Sequence, residues 1–348
     1  MTLSGWHSGL FQLITAAVLA WLIAPLSQRL ARSLHLLDSP DTELKKHSQP
    51  IPYLGGVAIF MAVVGSFAAD ACVLETWPQG TKLHALLLGS CAMLLLGLRD
   101  DVRALPWWQK LILELGLACW ACRSGLQLQV DYLSTDMAQL LSVAWLVGVA
   151  NALNLIDVAD GLASGVAAIA AMGLAVLALL LHRPAVASVC LTLAGACLGF
   201  LPANWPPARQ YLGDAGSLSV GFTLAGLALL LDYRAGPPQA LWAPVGILAV
   251  PLLETALVTC ARLRRGASPF LGSADHFALR LQAHGWSPDQ VTRQTLVAGG
   301  ISSCWGLGIA ALPVTATPWL LAAGLGTAVG LFVWLWQLPL PGQEPKSM

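Results

Sequence analysis

Charge is what this 348-residue chain has least of. Only 10% of its residues are charged, eighteen acids cancel eighteen bases, and no acidic or basic tract of the kind that binds nucleic acid is present. No basic segment precedes the first apolar run, near Leu10 to Leu26, and no small-residue cleavage site follows it. That run is therefore expected to be a retained helix rather than a removable leader. Sequence repeats are absent. A second CxxC pair is also missing beside Cys119 and Cys122, and no histidines lie near them, which argues against a zinc site there. The eight cysteines, Cys72, Cys91, Cys119, Cys122, Cys190, Cys197, Cys260 and Cys304, lie in or beside apolar runs. They are expected to be small buried hydrophobes, not disulfide partners.

Apolar residues fill the space that charge leaves. They make up 57% of the chain, the mean hydropathy is +0.70, and stretches long enough to cross a hydrocarbon layer of roughly 30 Å recur from end to end. Backbone groups in lipid must pair within their own segment, so each stretch is expected to be helical. The sequence thus predicts an all-α, polytopic integral membrane protein, a single transmembrane domain over 1–348. About eleven transmembrane helices are expected, near 9–28, 53–72, 83–98, 107–123, 137–153, 162–181, 185–203, 216–232, 239–261, 295–313 and 317–337.

Eleven spans put the termini on opposite sides. Arg29, Arg32, Lys45, Lys46, Arg99, Arg103, Lys110, Arg209, Arg262, Arg264, Arg265, Arg280, Arg293 and Lys346 fall to one side, and only Lys82, Arg123, Arg183 and Arg234 to the other. This fourteen-to-four excess places the first set in the cytoplasm and the N-terminus outside. The same loops collect Asp38, His47, Asp100, Asp101, Asn151, Asn154, Asp157, Asp160, Asn204, Asp214, Asp275 and His276. The active site is accordingly expected on the cytoplasmic loops.

Asp100 and Asp101 close the third span. Adjacent carboxylates repel and stay ionised at neutral pH beside a cation, which points to a divalent metal at the membrane edge, although Arg99 and Arg103 would also neutralise a plain helix end. Lys110 and Glu114 are spaced to pair on one helix face, and an acid within a span is a functional candidate by default. Lys110 could instead reach toward the membrane edge and hold a phosphate. Asn151, Asn154, Asp157 and Asp160 recur every three residues and would form one polar stripe on a continuous helix, with Asp160 also placed to cap the next one. The fourth loop runs from Asn204 to Tyr211-Leu-Gly-Asp214-Ala-Gly-Ser217, setting Asp214 at a helix N-terminus whose free amides can bind phosphate. The first loop offers Lys45, Lys46 and His47 as cations for an anionic substrate, and Gly55 and Gly56 for close backbone approach. The fifth carries Arg262, Arg264 and Arg265 ahead of Asp275 and His276; such a basic run is usually a topology anchor.

Together and in this order, these motifs, over about 38–287, resemble those of the polyprenyl-phosphate N-acetylhexosamine-1-phosphate transferases. That family includes UDP-GlcNAc:undecaprenyl-phosphate GlcNAc-1-phosphate transferase and phospho-N-acetylmuramoyl-pentapeptide transferase. The resemblance implies an enzyme of the bacterial inner membrane that requires magnesium, with manganese as an alternative ion. A polyprenyl phosphate attacks the β-phosphorus of a UDP-amino sugar, giving a polyprenyl-diphosphate sugar and UMP in the first membrane step of a cell-envelope glycan. Membrane lipid and a homodimer partner are further expectations, and nucleic acid is not. By motif, Asp100 and Asp101 match the family's paired aspartates, of which one is proposed to bind metal or act as base, and Asp214 matches its magnesium-binding aspartate. Asn154, Asp157 and Asp160 match a motif near the nucleotide, Tyr211 sits where an aromatic ring stacks on uracil, and Lys45 or Lys46 is the basic position of the first loop. Expected catalytic residues are therefore Asp100, Asp101, Asp214 and His276, with Asp214 and Asp101 as metal ligands. Lys110, Asn204, Arg264 and Arg265 are expected beside the substrates.

Two departures stand out against the family pattern. Val158 follows Asp157 where glycine is usual, and Ala278 and Leu279 stand where relatives often carry further histidines. Arg280 or the basic run 262–265 is then expected to take over the pyrophosphate. A phosphate monoester nucleophile has a second pKa of about 6 and is already largely ionised at pH 7, so Asp100 as organiser of Lys110 and metal weighs at least as much as Asp100 as base. Of two rivals, an aspartate-rich membrane prenyltransferase would need a further acid after Asp100-Asp101-Val-Arg-Ala. A secondary transporter would gather its polar groups near the bilayer midplane, at broken helices.

Overall fold

The computed structural model describes residues 3–38, 50–73 and 80–341. Lys45, Lys46 and His47 lie outside the described residues. Within the described residues thirteen α-helices follow one another: α1 (Leu3–Ser33), α2 (Gly55–Val73), α3 (Thr81–Val102), α4 (Trp107–Arg123), α5 (Thr135–Ile156), α6 (Leu162–Leu180) and α7 (Pro184–Asn204), then α8 (Gly213–Leu229), α9 (Ala243–Ile247), α10 (Ala249–Arg264), α11 (Phe277–Ala283), α12 (Pro288–Ala311) and α13 (Thr317–Gln337). Among the described residues the only strands are β1 (Leu37–Asp38) and β2 (Ile51–Pro52), an antiparallel pair with Leu37 opposite Pro52.

Among the described residues seven helices are long and apolar enough to cross a membrane, and an eighth span results if Pro238–Ile247 and Ala249–Arg264, bent by 67°, count as one. The molecule is a multi-pass membrane protein. Helices occupy all the segments expected as spans, and three of them fall short of that length or apolarity. α4 and α8 have 17 residues each, about 26 Å at 1.5 Å per residue, and α12 opens on two polar turns holding Asp289, Gln290, Arg293 and Gln294.

α8 runs through the middle of the bundle. Fifteen of its 17 residues are buried, packed by α2, α3, α5 and α6. Small residues make this possible, because without side chains between them two helix backbones can touch. A Cβ on Gly97 of α3 would come within 2.3 Å of the Asp214 carbonyl oxygen, and one on Gly56 of α2 within 2.2 Å of the Gly216 nitrogen. At its first turn α8 therefore sits directly against two neighbouring backbones. Farther along, Gln12 ties three helices together: its Nε2 donates to Asp70 at 2.6 Å, and its Oε1 accepts from Thr192 at 3.1 Å and from Ser188. All eight cysteines are free. Cys122, Cys190 and Cys197 are buried as expected, whereas Cys72, Cys260 and Cys304 face outward.

Candidate active site

Loops and helix ends converge on the N-terminus of α8. The first and fourth loops are stitched together by Gly55 N–H to the Tyr211 carbonyl (3.1 Å), Gly56 N–H to Leu212 (3.0 Å) and Tyr211 N–H to Pro52 (3.0 Å). The close approach expected of Gly55 and Gly56 thus serves the protein's own backbone. Leu212, at the cap position of α8, has no side chain able to accept a hydrogen bond. Asp101 supplies the cap from α3: Oδ1 accepts the Asp214 N–H at 2.8 Å and Oδ2 the Ala215 N–H at 3.0 Å. Such capping favours a carboxylate at the positive end of a helix. One expectation changes as a result. The Asp214 and Ala215 amides are not free for a phosphate, and Asp101 serves as the helix cap, with a lone pair on each oxygen still open to a metal ion.

Asp214 itself points back at α3, α4 and α5. Its Oδ2 lies 2.5 Å from Lys110 Nζ, and its Oδ1 accepts from Asn154 Nδ2 at 2.8 Å. Lys110 also donates to Asp100 Oδ2 at 2.9 Å, while Asp100 Oδ1 accepts the Leu105 N–H at 2.6 Å. One ammonium therefore bridges two carboxylates from different helices, and the local pair expected between Lys110 and Glu114 does not form. Glu114 is 1% exposed and takes its hydrogen bond from Asn151 Nδ2 at 2.5 Å.

The polar stripe of the third loop is broken by the end of α5 at Ile156. Asn151 and Asn154 remain on the helix and part company, the first to Glu114 and the second to Asp214 and Ser217 (2.9 Å). Asp157, at the C-terminal cap, is pushed well above the ordinary carboxylate range by burial, with the charges of Asp214, Asp101 and Asp160 adding to the effect. Asp160 accepts the Ala208 N–H at 2.9 Å. Asn204 braces the start of α6: its Oδ1 accepts from Gly161 N–H (3.2 Å) and Ser164 Oγ (2.7 Å) while its Nδ2 donates to the Gln210 carbonyl at 3.0 Å. Asn204 is buried and spent on the fold, away from the substrate-side role expected of it. The half-buried Tyr211 ring leans at 49° against Tyr53, 6.4 Å away, and Tyr53 donates to Asp38 at 2.8 Å. Burial raises the pKa of both phenols, so they stay protonated.

The fifth loop uses its charges differently from the expectation. Arg265 pairs with Asp275, Arg262 donates to Ser273 Oγ and the Pro269 carbonyl, and Arg264 lies over the Trp336 ring at 5.5 Å. Buried Arg280 donates to the carbonyls of Asp275, Trp336 and Leu338 at 2.9, 3.3 and 3.2 Å, a cation closing the C-terminus of α13. None of these arginines is brought to the Asp214 cluster. Glu254 escaped the sequence reading although it is an acid inside a span, the signal that could have flagged it; it holds His276 from α10.

The oxygen donors around Asp214 suit a hard divalent ion. Among the described residues no three His, Cys, Asp or Glu side chains form a ready cage. Magnesium does not need one, since it is commonly held by one or two carboxylates together with substrate phosphates. Asp214, with Asp100, Asp101 or Asp157 beside it, fits that pattern.

Membrane spans that end in a half-buried knot of carboxylates and one ammonium define a membrane-embedded enzyme. Its sequence agrees. The pattern of glycosyl transferase family 4 matches residues 83–232, the stretch that carries Asp100, Asp101, Lys110, Asn154, Asp157, Asp160 and Asp214. The chain is 32% identical over 282 residues to a probable undecaprenyl-phosphate N-acetylglucosaminyl 1-phosphate transferase of Bacillus subtilis, covering 79% of this chain and 77% of that protein. It is 31% identical over 312 residues to a decaprenyl-phosphate N-acetylglucosaminephosphotransferase of Mycobacterium tuberculosis, covering 80% and 76%. A phospho-N-acetylmuramoyl-pentapeptide-transferase of Limosilactobacillus fermentum is 34% identical over 257 residues, covering 68% and 76%. This chain belongs to that family, as the resemblance in its loops implied.

Proposed function

We propose that this protein transfers an N-acetylhexosamine-1-phosphate from a UDP-sugar to a polyprenyl phosphate, yielding a polyprenyl-diphosphate sugar and UMP. The observation that carries the reading is the meeting of Asp100, Lys110, Asn154 and Asp214, from four helices, at one end of the bundle. Relatives named for this transfer support it and favour neither the prenyltransferase nor the transporter.

A bound magnesium ion would draw off charge that develops on the phosphoryl oxygens, and Asp214 with Asp100, Asp101 or Asp157 would hold it. Lys110 supplies the site's fixed positive charge, and Asp100 aims it. With one oxygen on Leu105 N–H and the other on Lys110, Asp100 is an organiser in this reading, and an already ionised lipid phosphate needs no strong base. Asp101 sets the position of Asp214 by capping α8. Asn154 orients the Asp214 carboxylate, and Tyr211 offers its ring to uracil. Lys45 or Lys46 would supply a first-loop cation. The excess of Lys and Arg supports a cytoplasmic site, an N-terminus outside and residence in the bacterial inner membrane.

The test is UMP release by membrane vesicles containing the protein given UDP-GlcNAc and undecaprenyl phosphate, with and without magnesium. Release that requires both the lipid phosphate and a divalent ion supports the reading, and nucleotide-sugar uptake without release sinks it. A panel of other UDP-amino sugars then assigns the donor.

A further inference from the structure

Away from Asp214 the chain buries a second acid-base pair. Glu254, on α10 just past the 67° break, is 1% exposed, and its Oε1 lies 2.8 Å from His276 Nδ1. Its Oε2 accepts the N–H of Phe277, the first residue of α11, at 3.2 Å. Asp275 is fixed in turn by Arg265 and Arg280, so the backbone on both sides of His276 is anchored. A carboxylate on Nδ1 selects one tautomer and orientation of the imidazole and leaves Nε2 as the working position. Nε2 bonds to no described residue, and the His276 side chain keeps 8% of its surface exposed. Phe270 of the same loop stacks on Trp107, with ring centroids 4.6 Å apart and planes at 7°. Trp107 lies one turn before Lys110 on α4, so the loop carrying His276 is docked on the helix that brings Lys110 to Asp100 and Asp214.

We propose that Glu254 is a positioning residue for the transfer: it holds His276 by Nδ1 so that Nε2 faces the phosphate-bearing substrate. This inference rests on the phosphotransferase reading above. The alternative is that the pair does no more than fasten the loop to α10.

UMP release by full-length protein in detergent separates the two, using Glu254→Gln, His276→Ala, His276→Asn and the Glu254→Gln/His276→Ala double variant. Glu254→Gln is expected to lower kcat/KM about tenfold or more, in line with the loss of other groups that orient a working imidazole. In the His276→Ala background the same change is expected to cost under about twofold, because Glu254 then has nothing to orient. His276→Asn keeps a side-chain N–H near the position of Nδ1 and lacks Nε2, so it is expected to be as impaired as His276→Ala. An active His276→Asn variant, losses that multiply in the double variant, or an unimpaired Glu254→Gln variant overturns the proposal. If Glu254→Gln does not fold, the comparison of His276→Asn with His276→Ala still decides it. Wild-type protein that releases no UMP sinks the phosphotransferase reading and the proposal with it; normal wild-type release alongside an unimpaired Glu254→Gln variant sinks only the positioning role.

Discussion

Lys110 is the residue on which the site's electrostatics turn. Its ammonium lies between Asp100 and Asp214, all three largely shielded from solvent. Removing one partner of such an arrangement leaves a buried charge uncompensated, at a cost of about 3–5 kcal/mol. Lys110→Met is therefore expected to lower the thermal midpoint markedly as well as abolish transfer, both readable on detergent-solubilised protein. Asp214→Asn keeps the shape and the Lys110–Asp100 pair, so it is expected to lose transfer at least a hundredfold with a much smaller loss of stability. Asp101→Ala removes a helix cap and should cost roughly 1–2 kcal/mol, with activity falling because Asp214 loses its alignment. Asp157 permits a test through pH. Its folded pKa lies above the unfolded value of about 3.9, so the folded state binds the extra proton and stability falls as pH rises through that window. Asp157→Asn, measured in chelator, is expected to be more stable than wild type at neutral pH and to lose this slope.

At the scale of elements, the contact of α3 and α2 with the first turn of α8 holds the site together. Gly97→Ala would put a methyl group 2.3 Å from the Asp214 carbonyl oxygen, and overpacking of this kind costs about 1–3 kcal/mol. Transfer and thermal stability are expected to fall together in that variant, whereas Asp214→Asn separates them. The sequence showed where the spans run and which loops hold the acids, because both are local properties of composition and spacing. It could not show which polar groups meet. Lys110 and Glu114 are four residues apart and would pair on an isolated helix, but α8 delivers Asp214, 104 positions along the chain, to the same spot. The lysine takes that acid and Asp100, leaving Glu114 to Asn151. The stripe from Asn151 to Asp160 depended on a helix that in fact stops at Ile156. The fifth-loop arginines have the composition of a phosphate site, but the end of α13 engages Arg280 and Arg264.

For the whole molecule, one end of the helical bundle brings Asp100, Lys110, Asn154 and Asp214 together. The family pattern covers α3 to α8, while α10 to α13 carry and brace the fifth loop. The excess of Lys and Arg sets an expectation for the whole assembly: a reporter cysteine at Asp131, placed in a chain whose native cysteines are replaced, should react with an impermeant thiol reagent added to intact cells. A cysteine at Arg103 should be protected; the reverse pattern would invert the topology. The bond that breaks is the central matter. With the β-phosphorus of UDP-GlcNAc labelled and undecaprenyl phosphate as acceptor, the expected result is label in the lipid fraction and UMP in the aqueous one. Label remaining in water-soluble UDP, with sugar alone on the lipid, would contradict transfer of a sugar phosphate by this site.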